Sequence, residues 1–129
     1  MSEKFNLEII SPDQMSFNSE VEEVVIPAHE GIMTILKNHI SLITFLRPGF
    51  IEIVTDNKNK KFYVEDGTVE FFNNRLLILS SFSIQIEQLS KETAEKMIES
   101  SKVLLQNSEI NDKTKHILNY KISSLQEIN

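Results

Sequence analysis

The segment PAHEGIMTILKNHISLITFLRPG, residues 27–49, contains two of the three prolines, two of the three glycines and two of the three histidines of the chain. Short apolar runs such as Ile35-Leu36 and Phe45-Leu46 alternate there with residues typical of turns. Proline and glycine are the strongest local signals for a change of chain direction. The segment therefore predicts a shaped loop between strands rather than a linker.

Composition limits the class of protein. The chain has 129 residues, 40% of them hydrophobic and 25% charged, which is typical of one soluble domain with or without an appendage. It contains no apolar run of about 18 residues and no signal-peptide core near its N-terminus, so we expect no membrane insertion and no export. The absence of cysteine excludes disulfides and thiol chemistry. A net charge of −6 argues against nucleic acid as a partner.

Two composition regimes meet at Leu89-Ser90. All phenylalanine, proline and glycine residues lie in residues 1–89, and none lies in residues 90–129. The first part has 7 Lys and Arg against 13 Asp and Glu, whereas the second has 6 against 6. This division predicts two structural units with a boundary at that point.

The first unit is typical of an all-β fold. Phe5, Leu7 and Ile9 alternate with polar residues, as in a half-buried strand. Turns are predicted at residues 11–13 and at residues 18–19, and Pro27 is expected to end the strand over residues 21–26 because it offers no N–H group. Many short strands at regular spacing predict a sandwich or a flattened barrel.

The second unit is typical of two helices. Ser90 is the predicted N-cap of the first helix, and Ser108 or Asn111 that of the second. The break at Asn107-Ser108 is short, so an antiparallel pair is expected. The apolar stripe of the first helix is predicted to form the core between the two helices; it contains Met97, Ile98, Leu104 and Leu105.

Sequence signals for catalysis are missing. No phosphate-binding Gly-rich motif and no Gly-x-Ser-x-Gly string occurs. His29-Glu30 begins like a zinc-protease motif, but Met33 stands where the second histidine belongs. His39 and His116 add no metal-ligand spacing. We therefore predict no metal, no cofactor and no enzymatic activity of the chain itself.

Segment 27–49 also follows one longer pattern: Pro-x-x-Glu-Gly, a small residue, Ile-Leu, a histidine, and then Leu-x-Pro-Gly. The matching residues are Pro27, Glu30, Gly31, Thr34, Ile35, Leu36, His39, Leu46, Pro48 and Gly49. In this pattern, and over nearly its whole length, the chain resembles the epsilon subunit of bacterial F-type ATP synthases.

This resemblance implies a mainly β fold with a C-terminal α part: a ten-stranded β-sandwich over residues 1–89, then an antiparallel two-helix hairpin over residues 90–129. It implies a non-catalytic central-stalk subunit that couples rotation of the c ring to ATP synthesis. The implied partners are the gamma subunit, the c-subunit ring and, through the helices, the catalytic alpha and beta subunits. The implied place is peripheral, on the cytoplasmic face of the bacterial inner membrane.

The resemblance also implies a contact loop for the c ring. Ile32 departs from the family pattern, in which an acidic or polar residue is usual, and Asn38 and Ser41 replace a usual glycine and proline. These departures affect the shape of the loop more than membership in the family. The implied contact residues are Glu30, Gly31, Ile32, Lys37, Asn38 and His39.

In the second helix the resemblance implies a regulatory role for Lys113, Lys115 and Lys121, in restraining ATP hydrolysis. Lys121 lies within the apolar stripe, so we expect its ammonium group to snorkel outward and to weaken the folded hairpin. Some relatives carry an ATP site marked by Asp and Arg-Ala. Residues 86–91 have neither, so no ATP site is predicted.

Two other functions stay open from the residues alone. One is a stand-alone β-sandwich binding module with a helical oligomerisation tail, although it lacks tryptophan, and Tyr63 and Tyr120 lie in different units. The other is a cupin-like enzyme, which needs clustered histidines. Glu30 and His39 are also compatible with an ordinary loop surface.

Overall fold

The computed structural model describes residues 3–12 and 14–128, which form ten strands, a short 3-10 helix and two α-helices. All strands precede the helices, in the predicted order. The elements are β1 (Phe5–Ser11), β2 (Gln14–Val21), β3 (Glu23–Ala28), β4 (Gly31–Leu36), β5 (Leu42–Leu46), β6 (Gly49–Thr55), β7 (Lys58–Val64), β8 (Gly67–Phe72), β9 (Arg75–Ser80), β10 (Ser83–Gln85), the 3-10 helix Ile86–Gln88, α1 (Lys91–Leu105) and α2 (Asp112–Gln126).

The strands form one sheet that folds over on itself. Its order is β10-β7-β6-β3-β5-β8-β9-β1-β2, with β4 paired to β3. The β1–β9 pair is parallel, and the other pairs are antiparallel. The two ends of the order approach each other, where the hydroxyl of Ser16 in β2 hydrogen-bonds that of Ser83 in β10. The predicted flattened barrel is confirmed.

The main core lies inside this folded sheet. Alternation places every second side chain of a strand inward, so β1 contributes Phe5, Leu7 and Ile9, as the sequence pattern predicts. All its buried members precede Ser90. The others are Val21, Val24, Ile26, Ala28, Ile35, Leu46, Ile51, Ile53, Phe62, Val64, Val69, Phe71, Leu76 and Ile78.

Two tight hairpins and one close approach set the register. The β6–β7 turn has positive φ at Asp56 and Asn57, and the β8–β9 turn at Asn73 and Asn74. Two consecutive positive φ values give the turn twist that matches paired strands, and Asn and Asp tolerate them. A Cβ atom on Gly67 would lie 1.8 Å from the Leu79 carbonyl oxygen, so only glycine fits there.

Two predicted boundaries differ from the structure, and a third falls partly outside the described residues. β3 continues through Pro27 to Ala28, since the Pro27 carbonyl still accepts a hydrogen bond from the Arg47 N–H at 3.0 Å. Residues 18–19 lie inside β2, not in a turn, because they pair with β1. Of the turn predicted at residues 11–13, Asp13 lies outside the described residues.

The helices pack on one part of the sheet. Ser90 and Asn111 cap them, accepting bonds from the Thr93 and Thr114 N–H groups at 3.1 and 2.8 Å. Ala94, in the first turn of α1, shares a buried cluster with Leu125, in the last turn of α2, as in an antiparallel pair.

The predicted stripe of α1 is partly wrong. Met97 and Ile98 pack against the cluster that joins the helices to the sheet, which contains Tyr63 and Leu89. Leu104 is 52% exposed. The stripe therefore divides into residues that pack against this cluster and a residue near the end of α1 that is exposed.

Candidate binding surfaces

The turn between β3 and β4 carries three of the six predicted contact residues. Glu30 lies in the turn, Gly31 begins β4, and the following Ile32 is 75% exposed. Gly31 has a φ of 139°, a conformation that residues with a side chain rarely adopt. Glu30 Oε1 accepts a 3.1 Å hydrogen bond from Thr44 Oγ1. The turn thus presents a positioned carboxylate beside an exposed apolar side chain.

The connection between β4 and β5 carries the other three: Lys37, Asn38 and His39. Asn38 has a φ of 67°, and its N–H donates to Asn74 Oδ1 at 2.7 Å while Asn74 Nδ2 donates to Asn38 Oδ1 at 3.1 Å. His39 Nδ1 lies 2.8 Å from the Ile40 carbonyl oxygen. Because a carbonyl only accepts, Nδ1 acts as the donor in this contact.

These two groups do not form the single loop predicted over residues 28–39. β4 separates them, because its β-branched residues pair with β3 from Ala28–Gly31 at one end to Glu23–Leu36 at the other. Six strand residues span about 20 Å at roughly 3.3 Å per residue. The prediction of one continuous loop is therefore wrong, whereas the strand expected from the apolar run Met33 to Leu36 is confirmed within β4. Contact with a ring remains a prediction for each group.

A group of exposed apolar side chains, which the sequence did not reveal, lies on the outside of β5, β8 and β9 around the exposed Glu70. We define the outer apolar face as Ile43 and Phe45 of β5, Phe72 of β8 and Leu79 of β9, whose exposed fractions run from 43% to 80%. Phe45 pairs with Thr68, and Thr68 pairs with Leu79, so these side chains project on the same side.

The sequence missed this face because β5 reads Leu-Ile-Thr-Phe-Leu, which is apolar at almost every position. Alternation then gives no contrast between the inner and the outer side. The structure turns Thr44 and Leu46 inward and leaves Ile43 and Phe45 outside. In an antiparallel sheet one face is commonly exposed, so a strand that is apolar at nearly every position could have indicated an exposed apolar face.

Lys121 joins the hairpin to the sheet. Its Nζ lies 3.1 Å from Glu65 Oε2, and the two side chains are only 22% and 15% exposed. The Tyr63 hydroxyl donates to the same oxygen at 3.0 Å. Burial, together with the negative charge of Glu65, raises the pKa of the Tyr63 phenol. The expectation that Lys121 snorkels outward is wrong, because its ammonium group pairs with Glu65, between β7 and β8. Its expected effect on the stability of the folded hairpin stays a prediction.

Two further contacts join α2 to the end of segment 27–49. The Arg47 guanidinium lies 4.4 Å from the centroid of the Tyr120 ring. Ser124 Oγ donates to the Pro48 carbonyl oxygen at 3.4 Å. The Arg-Pro-Gly turn before β6 is therefore also a docking point for the hairpin.

Lys113 and Lys115 lie apart from Lys121. Both are exposed in the first turns of α2, next to the connection between the helices. Val103 and Leu104, at the end of α1, are exposed at the same end of the hairpin. The structure thus separates the three predicted lysines into two at the free end and one in the docked part.

The segment compared with an ATP site has a structural role. Ile86–Gln88 form the 3-10 helix, and Ser90 caps α1. Within residues 3–12 and 14–128, no three His, Asp or Glu residues are grouped so that they could hold a metal ion. In the same described ranges no helix combines the length and apolarity of a membrane span.

Comparison with known proteins identifies the family. The family model described as "ATP synthase, Delta/Epsilon chain, beta-sandwich domain" matches residues 4–85. The chain is 42% identical over 130 residues to the ATP synthase epsilon chain of Pelagibacter ubique, covering 100% of both. The chain belongs to the ATP synthase epsilon family. The epsilon chain of Allorhizobium ampelinum is 33% identical over 110 residues, 84% of this chain and 82% of the relative.

Solved structures share the epsilon-family fold. A chain of the Euglena gracilis mitochondrial ATP synthase (OSCP/F1/c-ring) gives a TM-score of 0.74 at 17% identity, covering 95% of this chain and 78% of its own length. A chain from the Tetrahymena thermophila central stalk and c ring gives 0.67 at 14% identity, covering 98% and 96%. At these identities the likeness shows the fold alone.

Membership confirms what segment 27–49 predicted about family and fold. The predicted sandwich followed by two helices is confirmed with it. The individual contact residues and the independence of residues 1–89 stay predictions.

Proposed function

We propose that this chain is the non-catalytic joint of the central stalk: its sandwich binds the gamma subunit and the c ring, so that ring rotation reaches the catalytic head during ATP synthesis. The observation that carries the proposal is the outer apolar face. Four large apolar side chains exposed together on paired strands are typical of a protein interface.

The outer apolar face is the surface assigned to gamma. β8 and β9 are paired on both sides, and β5 is paired with β8 along its length and with β3 at Leu46, so the face needs little ordering when a partner binds. Ile40, 78% exposed, extends the apolar surface from β5 into the connection that contains residues 37–39. We therefore place Lys37, Asn38 and His39 at the edge of the gamma interface.

The β3–β4 turn is the surface assigned to the c ring. Glu30, Gly31 and Ile32 form the tip of a hairpin, whereas residues 37–39 are tied to the β8–β9 turn through Asn74. The carboxylate of Glu30 is held by Thr44, so it meets a partner with its position already set. Of the six predicted contact residues, we therefore assign only residues 30–32 to the c ring.

The free end of the hairpin is the part assigned to the catalytic alpha and beta subunits. Lys113 and Lys115 are exposed there and can meet acidic side chains. Such a contact would restrain ATP hydrolysis. With these partners, the chain sits peripherally on the cytoplasmic face of the bacterial inner membrane.

A pair of matched variants tests the gamma assignment. We expect Phe45→Asp to reduce co-purification with gamma at least tenfold, because it places an unpaired carboxylate in an apolar interface. Leu104→Asp is the control, since Leu104 is similarly exposed but lies on the hairpin. Equal retention of gamma by both variants would contradict the proposal.

A second pair tests the ring assignment in membranes that contain the whole synthase. Glu30→Ala with Ile32→Ala should lower ATP-driven ion pumping relative to ATP hydrolysis while gamma stays bound. Lys37→Ala with His39→Ala, at the edge of the gamma interface, should leave that ratio unchanged in complexes that retain gamma. The reverse result would move the ring contact to the β4–β5 connection.

A further inference from the structure

We propose that the Lys121–Glu65 ion pair is a latch that holds the helical hairpin on the sandwich. Breaking the pair releases the hairpin without unfolding the sheet. The inference deepens the proposed function and rests on it for one point: a releasable hairpin is useful only in a subunit whose helices have a second partner. The contacts that form the latch all lie within this chain, so they need no partner subunit.

The hairpin is docked at one end only. Ala94, Met97 and Ile98 of α1 and Leu125 of α2 pack against the cluster around Tyr63. The other half of the hairpin, with Val103, Leu104, Lys113 and Lys115, is exposed. A compact set of contacts therefore decides whether the whole hairpin stays in place.

Glu65 is the polar centre of that set. Its carboxylate receives both Lys121 Nζ and the Tyr63 hydroxyl, and its own N–H donates to Ser80 Oγ at 3.1 Å. Ser80 in turn donates to the Phe82 carbonyl oxygen at 2.7 Å. Glu65 is therefore held by the sheet, whereas Lys121 is brought to it only when α2 is docked.

Partial burial makes the pair sensitive to the loss of one partner. Two opposite charges, or two neutral groups, are tolerated in a poorly hydrated site, but a single remaining charge is not. Without Lys121, the docked hairpin would cover a Glu65 carboxylate that keeps the Tyr63 hydrogen bond but has lost its counter-charge. Undocking would return that carboxylate to water, so the balance shifts toward the released hairpin.

The contact of Arg47 with Tyr120, next to Lys121 in the chain, supports the same docking position. In this contact the cation, Arg47, belongs to the sheet side, whereas in the ion pair the cation, Lys121, belongs to the helix. Loss of a contact between a cation and an aromatic ring costs less free energy than removal of one partner from a partly buried ion pair. The ion pair is therefore the contact on which release depends.

Amide hydrogen exchange of the full-length isolated protein tests the latch. We expect Lys121→Met, and likewise Glu65→Gln, to accelerate exchange of the amides in residues 94–98 about tenfold or more. The double variant should exchange several-fold more slowly than either single variant, because no single charge remains. Lys115→Met, a change of an exposed lysine on the same helix, should stay within about twofold of the parent protein. Amides of β1 and β9 should be unaffected throughout.

Equal exchange in Lys121→Met and Lys115→Met would overturn the latch. So would helix amides that exchange only together with those of β1 and β9, since the hairpin would then open only on global unfolding. If Lys121→Met does not fold, the exchanged pair Glu65→Lys with Lys121→Glu decides: near-parental exchange supports the latch, and fast exchange refutes it. Failure of the parent chain to bind gamma would contradict the proposed function and leave these outcomes unchanged.

Discussion

Tyr63 shows how one buried side chain connects the two parts of the molecule. Its ring belongs to the cluster under the helices, in edge contact with Phe50, and its hydroxyl donates to Glu65. Burial comes first and the Glu65 charge second in raising the pKa of its phenol above the ordinary value of 10.0. Deprotonation would place a second negative charge beside Glu65, so the folded chain keeps the proton.

We expect this shift to reduce stability in alkaline solution. Below pH 10 the Tyr63 phenol is protonated in both the folded and the unfolded chain. Its full contribution to the free energy of unfolding is then present. Above pH 10 the unfolded chain releases the proton and the folded chain does not, so the free energy of unfolding falls by up to about 1.4 kcal/mol per pH unit. Urea unfolding at pH 8 and pH 11 should show a larger loss for the parent protein than for Tyr63→Phe.

Tyr120→Phe is the control for this measurement, because Tyr120 is partly exposed on α2. It should lose as much stability as the parent protein between the two pH values. Equal losses for the parent and Tyr63→Phe would show that the Tyr63 phenol titrates normally.

At the scale of elements, the sheet carries a core of its own. All buried members of the main core precede Ser90, and the hairpin adds a separate cluster on the outside of β6, β7 and β10. Removal of the hairpin would leave the main core complete. It would uncover Tyr63 and the partly buried Phe50 and Phe82.

A chain that ends at Leu89 should therefore fold, with reduced stability. We expect one cooperative thermal transition, lowered by about 5–10 °C, since loss of 1 kcal/mol moves the midpoint of a domain of this size by roughly 4–8 °C. Uncovered aromatic side chains should also bind the dye ANS more strongly than the full chain does. A broad, non-cooperative transition would show that the sandwich needs its helices and would contradict the predicted boundary at residue 89.

The whole molecule has an uneven charge distribution. Residues 1–89 carry 7 basic and 13 acidic side chains, and residues 90–129 carry 6 of each. The hairpin therefore has no net charge with which to approach an acidic surface. Its attraction depends on Lys113 and Lys115 at short range, and salt screens exposed charges beyond about 8–10 Å.

From this we expect a weak brake on ATP hydrolysis. In the assembled synthase, deletion of residues 90–129 should raise hydrolysis less than about tenfold, equivalent to under about 1.4 kcal/mol. Lys113→Ala with Lys115→Ala should reproduce most of that rise, and Lys102→Ala, on α1, should not. Activation well beyond tenfold would reveal a stronger contact than two exposed lysines provide.

Local patterns were sufficient for much of this protein. The alternation of Phe5, Leu7 and Ile9 predicted the first strand, Ser90 and Asn111 predicted the starts of the helices, and segment 27–49 indicated the family. Each of these signals lies within a few residues of the feature that it predicts. Backbone preferences and capping act over that range, so a pattern in the chain is enough to read them.

Tertiary contacts decided the rest. The apolar run of residues 33–36 predicted a strand, but only the fold shows that β3 is its partner. Lys121 is an ionic anchor because folding brings it to Glu65, a residue of the other unit. The outer side of β5 became visible only once Thr44 was seen to face inward. Strand pairing and helix docking join residues far apart in the chain, and spacing in the sequence does not encode which of them meet.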